Sequence, residues 1–197
     1  MITSKKKNPA RILIYGFLSF IILGTVLLML PVSTVNGISF VDALFTSTSA
    51  VCVTGLIVKD TPNDFTIFGQ IVILFLIHIG GFGYMTSATI VLLLLGKRIG
   101  LGDRLIMKEA LNVISLEGIV RFAKGVLVFT ILFESAGILF LSLRFMRDMP
   151  ASKAVYYGIF HSISAFNNAG FSLFSDSLIK YRGDWLVNLV IAALIIS

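Results

Sequence analysis

Apolar residues in this chain lie in long unbroken runs, and short polar or charged clusters separate the runs. Soluble strands and helices instead show stripes with a period of about 2 or 3.6 residues. A run of about 20 apolar residues matches the hydrocarbon core of a bilayer, about 30 Å thick. The pattern therefore predicts four membrane-embedded helices, over about Ala10 to Leu30, Thr66 to Leu95, Ile119 to Leu143, and Trp185 to Ser197.

The first and last of these runs need separate interpretation. The first follows Lys5, Lys6 and Lys7 as a signal peptide would, but it is long and no small-residue cleavage site closes it, which favours a retained span. The last would be roughly 20 Å long at 1.5 Å per residue, too short to cross. We therefore expect the chain to be a fragment of a larger polypeptide.

Two half-length apolar segments lie between the predicted spans, Phe40 to Val51 and Ala154 to Phe166. They are too short to cross a bilayer but long enough to enter it and turn back as re-entrant helices. A glycine-bearing, mostly uncharged stretch follows each one, Val53 to Val58 and Asn168 to Phe174. Irregular backbone at membrane depth is tolerated only where it is buried in protein or lines a water-filled cavity. Two such segments indicate a pore.

The two half-length segments also match each other at an offset of 115 residues, which we interpret as an internal duplication. The fold class predicted is an all-α membrane protein of repeated helix, re-entrant pore loop, helix units. The first unit covers residues 1–96, a cytoplasmic connection covers 97–118, and the second unit covers 119–197. The identical pairs are Phe45 with Phe160, Ser47 with Ser162, Ser49 with Ser164, Ala50 with Ala165, and Gly55 with Gly170.

Composition and charge agree with a multi-pass protein of the cell membrane. Hydrophobic residues make up 57% and charged residues 13%, against about 25% charged in soluble domains. The net charge of +6 is informative through where Lys and Arg lie relative to the spans and to lipid. We expect no nucleic-acid partner. A cytoplasmic N-terminus places ten of the sixteen Lys and Arg inside: Lys5, Lys6, Lys7, Arg11, Lys97, Arg98, Arg104, Lys108, Arg121 and Lys124. The second external segment runs against this orientation, since it holds Arg144, Arg147, Lys153, Lys180 and Arg182.

Residues that carry catalytic or cofactor chemistry are scarce. One cysteine and two histidines are too few for a disulfide scaffold or a zinc site. Paired carboxylates, a Ser/His/Asp grouping and a phosphate-cradling Gly-rich loop are absent, so we expect neither an enzyme nor a bound cofactor. Glu134, inside the third span, is either a functional residue or a group that holds a pore helix. His78 and His161 are expected to be hydrogen-bonded helix residues.

The stretches after the half-length helices are suited to cation binding. A dehydrated cation needs oxygen ligands, and successive backbone carbonyls supply them without burying a full negative charge. Glycine lets the backbone adopt the conformation required, and the C-terminal dipole end of the preceding helix favours a positive ion. Asn167 and Asn168 either line the pore or hydrogen-bond to neighbouring backbone. The predicted carbonyl donors are Val53, Thr54, Gly55, Asn168, Ala169 and Gly170.

The segments Ser49 to Leu56 and Ser164 to Phe171 resemble the first and second pore loops of the Trk/Ktr/HKT superfamily of cation transporters. The similarity is greatest to the N-terminal half of the bacterial Ktr-type membrane subunit and covers essentially the whole chain. Leu30-Pro31 and the stretch His78 to Gly83 also resemble this family.

The resemblance implies four repeats around one pore, of which this chain holds two. Gly55 and Gly170 occupy the positions of the family's filter glycines, and a serine at the first is associated with sodium preference, so Gly55 favours potassium. A homodimer is expected, together with a cytosolic ring of nucleotide-binding regulatory subunits that contacts the connection Lys97 to Lys124.

We therefore expect potassium, as transported ion, to be taken up passively through a selectivity filter. A sodium or mixed sodium/potassium transporter is the alternative within transport. A non-conducting structural membrane protein is the alternative from a different class, and it leaves the repeated re-entrant segments unexplained. Coupling to sodium or protons and the gating element stay open.

Overall fold

The computed structural model describes residues 9–83 and 116–197 of the chain. These two ranges contain seven α-helices and no strand, which confirms the predicted all-α class. The C-terminal part of the predicted second span and most of the predicted cytoplasmic connection lie outside the described residues. The helices are α1 (Pro9–Leu28), α2 (Phe40–Val51), α3 (Thr61–Asp64), α4 (Ile67–Phe82), α5 (Leu116–Phe145), α6 (Ala151–Phe166) and α7 (Trp185–Ile196).

Helix α5 contains a 22-residue segment, Lys124–Phe145, with a mean hydropathy of 2.2. Within the described ranges it is the one helix long and apolar enough to cross a bilayer, and α1, α2, α4 and α7 contribute shorter apolar segments. Large apolar side chains on the outer faces of α1 and α5 are exposed, including Tyr15 at 66% and Val128 at 65%. A surface of this kind is stable only against lipid or further apolar protein.

Six of the seven described helices form two groups of three that are built alike. Helices α1, α2 and α4 pack together, and so do α5, α6 and α7. In the first group Ser47 Oγ of α2 donates a hydrogen bond to the Ile21 carbonyl of α1, 2.8 Å away. In the second group Ser162 Oγ of α6 donates to the Glu134 carbonyl of α5 at 2.9 Å. The same contact between a long helix and a half-length helix is thus present twice.

Glycines allow this close approach of helices. A Cβ built at Gly24 of α1 would lie 2.6 Å from Leu76 Cδ1 of α4, and one at Gly137 of α5 would lie 2.8 Å from Leu194 Cδ1 of α7. Both would also overlap the serine Oγ of the neighbouring half-length helix. The absence of a side chain at these two positions therefore sets the packing distance in each group.

Polar contacts join the two groups on one side of the molecule. Tyr156 of α6 donates through its hydroxyl to Gln70 Oε1 of α4, with 2.6 Å between the oxygens. Ser175 Oγ donates to Asp60 Oδ2 at 2.7 Å, which joins the loops that follow α2 and α6. These contacts link α4 to α6 and the loop after α2 to the loop after α6.

An ion pair fixes the C-terminal end of α5 against the start of α7. Arg144 Nε donates to Asp184 Oδ2, while Asp184 Oδ1 accepts from the backbone N–H groups of Leu186 and Val187 and so caps α7. Burial acts to raise the pKa of the Asp184 carboxyl, but the Val187 N–H and the Arg144 guanidinium outweigh it and hold that pKa below its usual value.

The substitution Gly137→Ala tests the glycine contact. We expect it to destabilise the detergent-solubilised full-length transporter by about 1–3 kcal/mol, because the new methyl group overpacks the α5–α6–α7 contact. The matched control is Gly125→Ala on the same helix, where a Cβ has no neighbour within 4 Å. Thermal unfolding monitored by size-exclusion chromatography would measure both, and equal midpoints for the two variants would contradict the packing role of Gly137.

Candidate ion-binding site

The two half-length helices end in the same backbone conformation. Helix α2 is followed by Val53 with φ 48° and Gly55 with φ 73°, and α6 by Asn168 with φ 55° and Gly170 with φ 73°. A positive φ is readily adopted by glycine, is less common for asparagine, and is an outlier for a β-branched valine. Tertiary contacts must therefore hold Val53 in this conformation.

We name the irregular segments Val53–Gly55 and Asn168–Gly170 strand A and strand B, although neither is a β-strand. In strand A, Thr54 N–H donates to the Ser49 carbonyl at 2.9 Å, and in strand B, Ala169 N–H donates to the Ser164 carbonyl at 2.7 Å. These bonds turn each strand back along its own helix. They also satisfy a carbonyl that the helix end leaves without an intrahelical partner.

The same two serines hold the far end of each strand. Ser49 Oγ donates to the Leu56 carbonyl, and Ser164 Oγ donates to the Phe171 carbonyl, both at 2.7 Å. Each serine therefore contacts its strand at both ends, through its carbonyl and through its hydroxyl. The carbonyls of Leu56 and Phe171 are engaged in these bonds and are directed toward the helices.

Strands A and B lie against each other. A Cβ built at Gly55 would be 2.7 Å from the Ala169 carbonyl oxygen and 3.1 Å from Gly170 Cα, and one at Gly170 would be 3.2 Å from Gly55 Cα. The structure thus brings all six predicted carbonyl donors into two adjoining segments. It also explains why both positions are glycine, since a side chain at either would overlap the other strand.

The surroundings favour a cation. Each strand begins at the C-terminal end of a helix, where the macrodipole places partial negative charge. Among the described residues there is no group of three or more His, Cys, Asp or Glu that could hold a metal ion. The carbonyl oxygens of the two strands are ligands of the kind that coordinates a dehydrated monovalent cation.

The side chains of Asn167 and Asn168 hydrogen-bond to neighbouring backbone. Asn167 Nδ2 donates to the Ile163 carbonyl at 2.9 Å, and Asn168 Nδ2 donates to the Ile195 carbonyl at 3.4 Å. Both residues also line a cavity of about 610 Å³ beside strand B, together with Gly81 and Thr130. The hydrogen bonds to backbone are thus present, and the lining of a pore by these asparagines stays a prediction.

Sequence reasoning singled out Glu134 without identifying its partners. The structure places its carboxyl group beside His78 Nε2 of α4, 3.2 Å away, and beside Asn167 Nδ2 at 3.3 Å. The signal available in the sequence was a carboxyl in an apolar span, which needs polar partners. Which partners it has depends on helix packing.

Comparison with known proteins agrees with this geometry. Residues 2–197 match the TrkH family, described as cation transport proteins. The chain belongs to the TrkH family. It is 49% identical over 190 residues to Ktr system potassium uptake protein B of Bacillus subtilis and 43% identical over 191 residues to the protein of the same name from Vibrio alginolyticus. It is 37% identical over 195 residues to potassium/sodium uptake protein NtpJ of Enterococcus hirae.

These TrkH-family relatives are much longer than the chain. The alignments cover 96%, 97% and 98% of this chain but 43%, 42% and 43% of the relatives. The chain thus spans less than half the length of the relatives it matches. Strands A and B lie within the matched region.

The hydroxyl of Ser164 gives a direct test of how strand B is held in this TrkH-family chain. Ser164→Ala removes the donor to the buried Phe171 carbonyl, and we expect a loss of about 1–3 kcal/mol of stability because that carbonyl is left unpaired. Thermal unfolding of the full-length transporter in detergent measures the loss. The control is Ser152→Ala, the same substitution at an exposed site in the first turn of α6. If both variants unfold at the midpoint of the unaltered protein, the hydroxyl does not hold the strand.

Proposed function

We propose that this chain forms part of a potassium uptake transporter and contributes two strands of its selectivity filter. The observation that carries the proposal is the pair of adjoining glycine strands, A and B, each beginning at the C-terminal end of a half-length helix with φ 73° at its glycine. Half-length helices followed by irregular backbone are stable at membrane depth only around a pore or inside protein.

The ion ligands in this proposal are the backbone carbonyl oxygens of Val53, Thr54 and Gly55 in strand A and of Asn168, Ala169 and Gly170 in strand B. The side chains of Thr54 and Asn168 bond to protein groups instead, Thr54 to Ser49 Oγ at 2.9 Å and Asn168 to α7. Neutral carbonyl dipoles replace the hydration shell of potassium, which is less tightly hydrated than sodium. Potassium is the transported ion, and the chain binds no cofactor.

The proposal places two helix, re-entrant loop, helix units in the chain, residues 1–96 and 119–197, joined by a cytoplasmic connection at 97–118. The curated relatives are more than twice as long as the aligned region, so a complete polypeptide has room for two further units and a four-stranded filter. The N-terminus lies in the cytoplasm and the protein is multi-pass in the cell membrane. The family resemblance further implies a homodimer and a cytosolic ring of nucleotide-binding regulatory subunits.

A sodium or mixed sodium/potassium transporter is the second candidate. It is favoured by the 37% identity to a protein named potassium/sodium uptake protein. Competition between rubidium and sodium during uptake separates the two candidates. A non-conducting structural role has less support, because it gives no reason for two glycine strands to be held against each other.

The test is rubidium uptake into potassium-starved cells that express the complete transporter, with and without Gly55→Ser. We expect the substitution to lower the rubidium-to-sodium uptake ratio by about tenfold or more, because a side chain at φ 73° is strained and overlaps strand B. Radioactive or flame-photometric ion contents, normalised to the transporter present in the membrane, give the ratio.

The matched control is Gly37→Ser. Gly37 has a φ of 76°, close to that of Gly55, but a Cβ there has no neighbour within 4 Å. Backbone strain is therefore similar in both variants, and only Gly55→Ser disturbs the strands. No rubidium uptake by the intact protein, or an unchanged ratio in Gly55→Ser at equal abundance, would contradict the proposed function.

A further inference from the structure

Glu134 is a buried carboxyl group within the membrane-spanning part of α5, with 8% of its surface exposed. A carboxyl in such a place is costly unless polar partners satisfy it. Glu134 has two: His78 Nε2 lies 3.2 Å from Oε1 and 3.3 Å from Oε2, and Asn167 Nδ2 lies 3.3 Å from Oε1. A carboxylate only accepts hydrogen bonds, so both partners donate to it. The contact joins α4, α5 and the end of α6.

The equivalent place in the first group of helices is apolar. Ser162 Oγ bonds to the Glu134 carbonyl as Ser47 Oγ bonds to the Ile21 carbonyl, so Ile21 occupies the position of Glu134. Cys52 follows α2 as Asn167 follows α6. Two positions, which are in contact in the second group, thus differ together between the groups, from isoleucine and cysteine to glutamate and asparagine. A joint change of this kind indicates that the two polar residues serve one purpose.

Asn167 connects Glu134 to strand B. It is the capping residue of α6, and Asn168, the first residue of strand B, follows it directly. Its amide is also pressed against α4, where a Cβ at Gly81 would lie 2.6 Å from Asn167 Cγ. The side chain is therefore held by α4 and α5 and by the Ile163 carbonyl of its own helix, and its position determines where strand B begins.

We propose that Glu134 is a positioning residue for the selectivity filter: through Asn167 and His78 its carboxylate sets the spacing between strand B and strand A. Asn167 fixes the start of strand B, while His78 fixes α4, which belongs to the same group as strand A. This inference rests on the proposed function, since it assigns a role within that filter. It predicts that loss of the contact changes which ion is taken up, beyond any effect on the amount of protein.

The test compares Glu134→Ile, Asn167→Cys and the double variant in the complete transporter. Each single variant places the first-group residue in the second group and breaks the hydrogen bond. We expect the rubidium-to-sodium uptake ratio to fall by about tenfold in each single variant, because a buried hydrogen bond to a charged group is lost. The double variant is expected to be no worse than either single one, since residues that act through one contact are not additive.

The conservative variant Glu134→Gln distinguishes a positioning role of the Glu134 side chain from a role of its charge. Its side-chain carbonyl still accepts from Asn167, so we expect the uptake ratio to stay within about threefold of the unaltered protein. The control is Tyr156→Phe, which removes the hydrogen bond to Gln70, another contact between α4 and α6. We expect Tyr156→Phe to lower transporter abundance at most and to leave the uptake ratio and the rubidium KM unchanged.

The outcomes distinguish this inference from the proposed function. If Gly55→Ser shifts the ratio and neither Glu134→Ile nor Asn167→Cys does, the filter stands and the positioning role is wrong. Additive losses in the double variant would also overturn the positioning role. If neither Gly55→Ser nor the Glu134 variants change the ratio, the filter assignment itself fails. If Glu134→Ile does not reach the membrane, the uptake ratios of Asn167→Cys and Glu134→Gln are compared instead.

Discussion

An unpaired backbone carbonyl or amide group that is shielded from water is costly, and the arrangement of this chain depends on how that cost is avoided where α2 and α6 end. Each helix end leaves groups without intrahelical partners. Ser49 and Ser164 each make two bonds here: the backbone carbonyl at the helix end accepts from the returning strand, and the hydroxyl donates to the carbonyl of the residue after the glycine. The strands are thereby fixed without consuming their own carbonyls in a sheet or helix.

Packing between helices supports this arrangement at a second level. Glycines in α1 and α5 let the half-length helices approach closely, and Ser47 and Ser162 bond to carbonyls of those long helices. Lipid tails are as apolar as the helices, so no hydrophobic driving force brings membrane helices together. Close van der Waals contact at small residues holds them together instead. The packing of α2 and α6 thus determines where strands A and B lie.

Much of this could be predicted from the sequence. The half-length segment Phe40 to Val51 was predicted with the bounds that α2 has, and Ala154 to Phe166 differs from α6 only at its start. Helix α6 begins at Ala151 because Pro150 precedes it, and its first turn, Ala-Ser-Lys, has too few apolar residues to extend the hydrophobic run. The two glycines were identified because a repeated glycine after a short apolar run has a definite backbone role.

Other features could not be predicted. A left-handed valine contradicts local preference, so nothing in the sequence indicated a positive φ at Val53. The bond from Thr54 N–H to the Ser49 carbonyl is one contact that holds it there. The partners of Glu134 were also hidden. Gly24 and Gly137 occupy equivalent positions in α1 and α5, so these two helices are related by an offset of 113 residues, whereas the loops are related by an offset of 115. Apolar residues on lipid-facing helices replace one another freely, so the sequence alone does not show the smaller offset. The six carbonyl donors stay a prediction.

The contact between Gly55 and Gly170 has a consequence for how the protein can vary over evolution. A methyl group added at either position would enter the same narrow gap between the two backbones. Tolerance at one position therefore depends on the residue at the other, although they lie in different halves of the chain. Duplication usually frees two copies to diverge independently, but here the shared gap makes their variation epistatic, and neither copy can acquire a side chain at this point without a compensating shift in its twin.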